Sequence, residues 1–343
     1  MVGARIATAP VRQRVARRAG QLTRRAITRR GLLRALPSAA VGLASLTWMG
    51  QQPFTQQMLG VLRAAAAMPR SPIAGAPNGY FHACFNIERP EDVPMAAALG
   101  INFAFGYGSV SWRSVDPTNP LGQALARYGM RAFLDIESAA LSCRGGRGVV
   151  DSSAIRGLVA RFASSPLLAG YWTKDDDCGD EGAAVKEIAT IIRSVDADPR
   201  HLIVPGYGDA ASLARNYVHG QADVLAFYPY PAFSRGPAAE VPEMLRIVRE
   251  RTPAGAQPPP FLGIYQVFGA PPHIALPSVQ EIVDQVAAYR SLGALGVVGY
   301  GWDQSGMTHL PSNDATLRAA IAAATQWMIT GPGRAYTRGI PAG

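Results

Sequence analysis

Cysteine is scarce in this sequence, and none of it has metal-binding spacing. The 343 residues contain only Cys84, Cys143 and Cys178, without a Cys-x-x-Cys pair. The five histidines show no ligand spacing either, so no zinc site is predicted. An odd number of cysteines leaves at least one thiol unpaired within the chain. If the protein is exported, Cys143 and Cys178 are candidates for one disulfide, because both follow strand-like segments.

The motifs that bind nucleotides or activate a serine are missing as well. No Gly-x-Gly-x-x-Gly follows the first strand-like segment, and no Walker motif is present, which argues against a doubly wound nucleotide-binding sheet. No Gly-x-Ser-x-Gly is present, and the histidines show no triad arrangement, so a serine hydrolase is not supported. The sequence therefore implies no cofactor.

Acidic residues are absent from residues 1–63, which carry 11 arginines. The formal charge of +9 comes from this segment, because the other 22 basic residues are balanced by 24 acidic ones, a net charge of −2. Nucleic-acid binding needs a basic patch on the folded domain, so no nucleic-acid partner is expected.

Residues 1–68 have the layout of an export signal and linker. The segment Thr28–Arg34 (TRRGLLR) precedes an apolar stretch, roughly 35–49, as in a twin-arginine signal. That stretch is short for a membrane span, which needs about 20 apolar residues. We expect export to the periplasm, cell envelope or exterior, with membrane contact only through this signal. An uncleaved anchor and a basic disordered tail are the alternatives.

Strand-like and helix-like segments alternate eight times over residues 69–330, and a Gly/Pro-rich tail occupies 331–343. This order and size predict a single-domain (β/α)₈ barrel. The eight apolar runs are residues 80–85, 102–105, 131–136, 168–173, 201–205, 224–228, 261–267 and 295–300. Helix-capping patterns separate several of them: Gly129 as a C-cap, Ser152 or Ser153 as an N-cap, and Ser278 with Glu281 as a capping box.

Polar and aromatic residues collect where these runs end, which in such a barrel is where active sites form. Acids and aromatic rings around one rim suit a carbohydrate, because sugar C–H faces stack on rings and hydroxyls bond to Asp, Asn and Gln. Glycoside cleavage usually needs one protonated and one ionised carboxyl group. Adjacent acids such as Asp175, Asp176 and Asp177 favour keeping one of them protonated.

The fourth run, "LLAGYWTKDDD", resembles the "hPxLxGWYxxDEP" segment of barrel-type glycoside hydrolases. "ADVLAFYPYP" is similar to their sixth strand and "GALGVVGYGW" to their eighth, and the resemblance covers most of residues 79–328. It implies that Asp176 is the proton donor. The chain departs from the pattern in having Asp176 in place of Glu, Asp177 in place of Pro, and Gln266 where many retaining members carry a nucleophilic Glu.

These observations predict a glycan-acting hydrolase with Asp176 as the general acid. The other candidate catalytic residues are Asp175, Glu137 and Asp303, and the candidate substrate-binding residues are Asn86, Asp135, Trp172, Tyr228, Tyr230, Gln266 and Trp302. Three structural alternatives stay open: a solvated turn at 175–177, a structural pair of Asp135 and Glu137, and backbone bonding by Gln266. The alternatives for function are a non-catalytic glycan-binding barrel of the cell envelope and chemistry on another bond on the same scaffold.

Overall fold

The structure is a computed structural model that describes residues 81–330. The expected signal and linker at 1–68, the first residues of the expected barrel domain and the tail at 331–343 lie outside the described residues. The proposed domain boundaries therefore stay predictions.

The described part contains ten strands, eight of which form one closed sheet. The strands are β1 (Phe81–Phe85), β2 (Phe103–Phe105), β3 (Arg131–Asp135), β4 (Leu141–Arg144), β5 (Arg147–Val150), β6 (Leu168–Lys174), β7 (Leu202–Tyr207), β8 (Leu225–Phe227), β9 (Phe261–Gln266) and β10 (Gly296–Tyr300). The closed sheet has the order β1-β10-β9-β8-β7-β6-β3-β2, and its neighbours pair in parallel. The predicted (β/α)₈ barrel is confirmed.

Helices follow every barrel strand. They are α1 (Val93–Ala98), α2 (Ser109–Val115), α3 (Pro120–Arg127), α4 (Glu137–Ala140), α5 (Ser152–Phe162), α6 (Gly182–Val195), α7 (Ala210–Asn216), α8 (Pro237–Arg251), α9 (Val279–Ser291) and α10 (Ala315–Thr330), with a 3₁₀ turn at Pro90–Asp92. Among residues 81–330, no helix combines the length and the apolar character needed to cross a bilayer.

Two of the three predicted helix caps are confirmed. Ser278 and Glu281 form both bonds of a capping box at the start of α9. Gly129 follows the last turn of α3 with φ 66°, a conformation that glycine adopts without a Cβ penalty. The expected cap of α5 was placed one or two residues too late: Asp151 caps this helix, and its carboxylate accepts from the amide of Ala154.

The hairpin β4–β5 was not predicted. Its two-residue turn, Gly145–Gly146, has φ of 59° and 77°, which suits a tight hairpin between twisted strands. The Gly-Gly pair between short alternating segments was the available signal. The hairpin is inserted between β3 and α5, and this insertion places it on the side of the barrel where the strands end.

Aromatic side chains fill the barrel interior. The period of two puts Phe81 and Phe85 on one face of β1, and Phe103 and Phe105 on one face of β2. Phe105 stacks on Phe133 of β3 with ring centroids 4.2 Å apart. Above them, Trp172 packs edge-on against Phe85 at 5.3 Å. Gly206 makes room for this indole, because a Cβ there would lie 2.4 Å from the Trp172 ring. Buried aromatic side chains therefore fill the barrel interior beneath its mouth, which is the opening at the end where the strands terminate.

Candidate active site

The run of three aspartates lies at the end of β6, and its carboxyl groups have different surroundings. Asp175 is buried, whereas Asp176 and Asp177 are partly exposed. The pairing register of β6 with β7 shifts between Trp172 and Lys174. Asp175 bonds to Tyr107 at the end of β2, whereas Asp177 turns toward α7.

Asp175 is held by a residue from the end of β2. The hydroxyl of Tyr107 donates to its Oδ2 at 2.5 Å. Since β2 and β6 are separated only by β3 in the barrel, this bond spans the β3 side of the mouth. The Tyr107 ring also stacks on Phe85, with centroids 5.3 Å apart, which fixes the position of the hydroxyl.

Asp175 and Asp176 also lie close to the tyrosines that follow β8. Burial, together with the charges of Asp175, Asp176 and Asp177, raises the pKa of Tyr228 well above its ordinary value. Burial, the neighbouring Tyr300 and the charge of Asp175 have the same effect on the pKa of Tyr230. Both tyrosines therefore stay protonated and can donate hydrogen bonds, while the acids beside them supply acceptors.

Asp177 turns away from the mouth into a buried ionic cluster. The Lys174 ammonium, which is fully buried, lies 2.6 Å from Oδ1 of Asp177 and 3.0 Å from Oε1 of Glu181. It also donates to the backbone oxygen of Asp175 at 2.7 Å. Ser212 and Arg215, both on α7, donate to the two oxygens of Asp177 at 2.7 Å. The cluster ties the acid-bearing loop to α6 and α7.

The cluster shifts the pKa of its acids in opposite directions. Burial alone would raise the pKa of Asp177, but the charge of Lys174 and the bonds from Lys174, Ser212 and Arg215 lower it to about 2. For Glu181 burial prevails over the attraction of Lys174, and its pKa is raised to about 7. The negative charge of Asp177 contributes to that rise. Asp177 is thus a structural anion at neutral pH.

The mouth is lined by a continuous set of aromatic rings. Tyr300, at the end of β10, lies 5.2 Å from Phe85 and 5.8 Å from Tyr230 between ring centroids. Tyr230 in turn lies 5.6 Å from Tyr228. Offset and edge-to-face contacts at these spacings stabilise an aromatic cluster. The rings link β1, β8 and β10 around the same opening that holds Asp175 and Asp176.

Glu137 and Asp303 occupy different sides of this opening. Glu137 begins α4 just after β3, which pairs directly with β6. Asp303 follows β10, which lies opposite β6 in the closed order of strands. The charge of Asp303 contributes to a raised pKa of Glu88, after burial, so Asp303 is on the β1 side. Of the two acids, Glu137 is the one that follows the strand adjacent to the aspartate run.

Asn86 lies beside Asp303 in a backbone conformation that favours asparagine. Its φ is 59°, and its side-chain amide donates to Oε1 of Gln304 at 2.7 Å. The side-chain oxygen of Asn86 is buried and has no hydrogen-bond partner among the described residues. This oxygen is enclosed at the end of β1 and offers no exposed surface at the mouth.

Six of the seven predicted binding residues are buried, and Tyr228 alone is partly exposed. Trp172 and Trp302 are each 1% exposed, so their rings offer almost no surface to a ligand and support the floor. Gln266 bonds to backbone groups, accepting from Ala232 at 3.3 Å and donating to the oxygens of Phe268 and Ala275. The buried carboxylate of Asp135 accepts from the amides of Gly108 and Ser138. Gln266 therefore bonds to backbone groups, which is one of the structural alternatives that the sequence left open.

Sequence reasoning did not identify Tyr300 as part of the site, and it did not predict the ion pairs of Lys174 with Asp177 and Glu181. A lysine directly before three acids was a signal of an internal ion pair, and Tyr300 stands at the end of the eighth barrel strand in "GYGW". What the sequence could not provide is the direction of either side chain.

The expected disulfide is not formed. Cys143 on β4 and Cys178 before α6 are both free thiols, as is the buried Cys84. The cause is geometric, since the two sulfurs are not at bonding distance even though both segments lie on the same side of the barrel. Within the described range, no group of three or more His, Cys, Asp or Glu side chains is arranged to hold a metal ion.

No protein-family model matches the sequence, and no curated protein matches it either. Solved structures do. A GH18 chitinase from Pseudoalteromonas aurantia is 15% identical over 71% of this chain and 99% of that chain, with a TM-score of 0.44. An endo-beta-1,4-mannanase from Thermotoga petrophila is 12% identical over 74% and 77%, with a TM-score of 0.44. A glycoside hydrolase family 5 enzyme from Prevotella bryantii B14 is 9% identical over 76% and 99%, with a TM-score of 0.48.

Proposed function

We propose that this protein is a carbohydrate-active hydrolase that cleaves a glycosidic bond at the mouth of its barrel. One observation carries the proposal. Asp175 and Asp176 lie side by side at the end of β6, between Tyr107 on one side and Tyr228 and Tyr230 on the other. Adjacent carboxyl groups among aromatic rings offer both parts of sugar chemistry, proton transfer and stacking.

In this proposal Asp176 is the general acid. Its neighbour Asp175 is held in place by a hydrogen bond from Tyr107. The second carboxylate is Glu137, because β3 is the strand adjacent to β6, with Asp303 on the opposite strand as the other candidate. Asp176 gives its proton to the leaving oxygen as the glycosidic C–O bond breaks. Water supplies the oxygen that replaces it at the anomeric carbon, with the second carboxylate as base or nucleophile.

The test is release of sugar by the Asp176→Asn variant. Purified protein is incubated with soluble polysaccharides and with nitrophenyl glycosides, and reducing ends and nitrophenol are measured. Loss of a general acid costs about 10²- to 10⁴-fold in rate. Asp180→Asn is the matched control, because Asp180 is exposed and lies four residues away in the same segment. Equal turnover by wild type and Asp176→Asn rejects the assignment.

Glu137→Gln and Asp303→Asn separate the two candidates for the second carboxylate. The proposal expects a large loss of rate for Glu137→Gln and a smaller one for Asp303→Asn. The reverse order assigns the role to Asp303 and leaves the general acid unchanged.

A non-catalytic glycan-binding barrel is the second candidate, and Gln266 favours it. This residue stands at the end of β9, the seventh barrel strand, and its amide is occupied by backbone groups. It therefore supplies no nucleophile. Glycan binding by calorimetry, with no reducing ends released by wild type, selects this function.

We also propose that the protein acts outside the cytoplasm. The support is the arginine-rich sequence with Thr28–Arg34 and the apolar stretch after it. Cell fractionation after replacing Arg29 and Arg30 with lysine tests this, and unchanged export contradicts a twin-arginine route.

A further inference from the structure

An exposed aromatic side chain lies at the rim of the mouth, outside the residues assigned above. Phe233, in the loop after β8, is 54% exposed. It is the most exposed large apolar side chain among the described residues. Single exposed apolar side chains are common on protein surfaces, so the significance of Phe233 lies in its connection to the mouth.

Phe233 is connected to the candidate active site by ring contacts. Its ring stacks on Phe268 with centroids 6.5 Å apart and lies 6.5 Å from Tyr230. Phe268 contacts Tyr300 at 5.5 Å, and Tyr300 belongs to the lining of the mouth. Phe268 and Tyr230 are buried, so Phe233 is the exposed end of a series of ring contacts that reaches the mouth.

The loop that carries Phe233 is braced. The Phe233 amide donates to the backbone oxygen of Tyr230 at 2.9 Å, which closes a tight turn. Gln266 accepts from Ala232 and donates to the backbone oxygen of Phe268, so it joins the loops after β8 and β9. This explains the buried position of Gln266. A preorganised ring loses little conformational entropy when a ligand stacks on it.

We propose that Phe233 is a distal stacking platform for one sugar unit of an extended glycan, so that the ligand is a chain of several pyranose units. Phenylalanine has no hydroxyl group, so it selects the C–H face of a ring and not a polar or charged group. The continuity of the rings with the mouth favours a glycan over a protein partner. The inference rests on the proposed function, because the same chain must reach Asp176.

The experiment titrates oligosaccharides of one to six units, from cello-, manno-, xylo- and chito-oligosaccharide series, into the protein in a calorimeter. All proteins carry Asp176→Asn to prevent cleavage. Affinity should rise with chain length, and Phe233→Ala should lose about tenfold in affinity for the longer chains only, the worth of one aromatic contact. Phe233→Trp should restore it.

Tyr128→Ala is the matched control, because Tyr128 is 45% exposed but follows α3 at the opposite end of the barrel. It should bind like the parent protein at every length. Equal affinities for Phe233→Ala and the parent overturn the platform and leave the proposed function intact. A loss that is the same for one unit and six units also overturns it, since Phe233 would then touch the innermost sugar. Absence of binding in all series overturns both proposals.

Discussion

At the residue scale, the three adjacent aspartates are distinguished by their partners. Tyr107 donates to Asp175, and the charge of Asp176 contributes, after burial, to the raised pKa of Tyr228. Asp177 alone is directed to Lys174 and Arg215. A buried ammonium is strongly unfavourable unless anions surround it. Lys174 and the two acids Asp177 and Glu181 therefore stabilise one another in the folded protein. The third aspartate thereby fixes the loop on which the other two stand.

This role makes the stability of the protein depend on pH through Asp177. The folded-state pKa, about 2, lies below the unfolded value of 3.8. The ionised carboxylate therefore adds stability above the unfolded pKa, and this contribution is lost as pH falls from about 5 through 2. Asp177→Asn should lower the free energy of unfolding by about 2 kcal/mol at pH 7. The difference from wild type should shrink by pH 2.5 in urea titrations.

Ser212→Ala removes one donor to the same carboxylate and serves as a graded comparison. The loss of unfolding free energy in Ser212→Ala should depend on pH in the same way as in Asp177→Asn, but it should be smaller. A gap between wild type and Asp177→Asn that is equal at pH 7 and pH 2.5 contradicts the assignment to an ionised Asp177.

At the scale of elements, the hairpin β4–β5 is docked on the segment that follows the aspartates. Asp180 and the hairpin exchange two backbone hydrogen bonds, from Asp180 to Gly146 at 2.9 Å and from Gly148 to Asp180 at 3.0 Å. Gly179 permits this contact: its φ is 121°, and a Cβ there would lie 2.3 Å from the Gly146 oxygen. The hairpin therefore supports the acid-bearing loop from outside.

Gly179→Ala should displace the hairpin and cost roughly 1–3 kcal/mol, since the side chain is strained in this conformation and meets backbone. Hydrogen exchange at the Asp180 and Gly148 amides should become faster. Gly145→Ala is the control, because Gly145 also has a positive φ, 59°, but no atom lies within 4 Å of its added Cβ. Equal exchange in the two variants would show that the docking contact has no effect on the loop.

At the scale of the whole molecule, the barrel closes where β1 pairs with β10. Gly296 stands at this junction opposite Phe81, and a Cβ on it would lie 2.1 Å from the Phe81 backbone oxygen. Thr325 of α10 adds a second connection, since its hydroxyl bonds to the buried His82 ring at 2.9 Å and to the Leu99 oxygen. These bonds connect α10 to β1 and so stabilise the closed sheet.

Gly296→Ala should push β1 and β10 apart and destabilise the protein by roughly 3 kcal/mol, because neither backbone can yield without breaking the ladder. Urea unfolding followed by circular dichroism measures the change. Gly157→Ala, on the exposed face of α5 with open space around the added Cβ, should instead stabilise by about 0.5–1 kcal/mol. An unchanged free energy of unfolding in Gly296→Ala would contradict a tight junction at this position.

Local sequence was sufficient for the eight barrel strands and for the end of the barrel that carries the acids, but not for the hairpin β4–β5. Apolar runs of strand length, helical periodicity and the caps at Gly129 and Ser278 are local signals, and parallel closure then brings all strand ends to one mouth. Asp175 and Asp176 were placed there for this reason. Asp151 was missed as a cap because serines beside it are equally good caps, and only the first turn of α5 distinguishes them.

The directions of the side chains were decided by the tertiary structure. Asp176 and Asp177 are neighbours in sequence, yet the buried Lys174 draws only the second of them out of the mouth. Trp172 and Gln266 stand at strand ends, but the first fills the barrel interior and the second joins two loops. The end of a strand specifies only a position along the barrel axis. The direction of each side chain is determined by the partners of the buried charges and rings, and these partners come from segments remote in sequence.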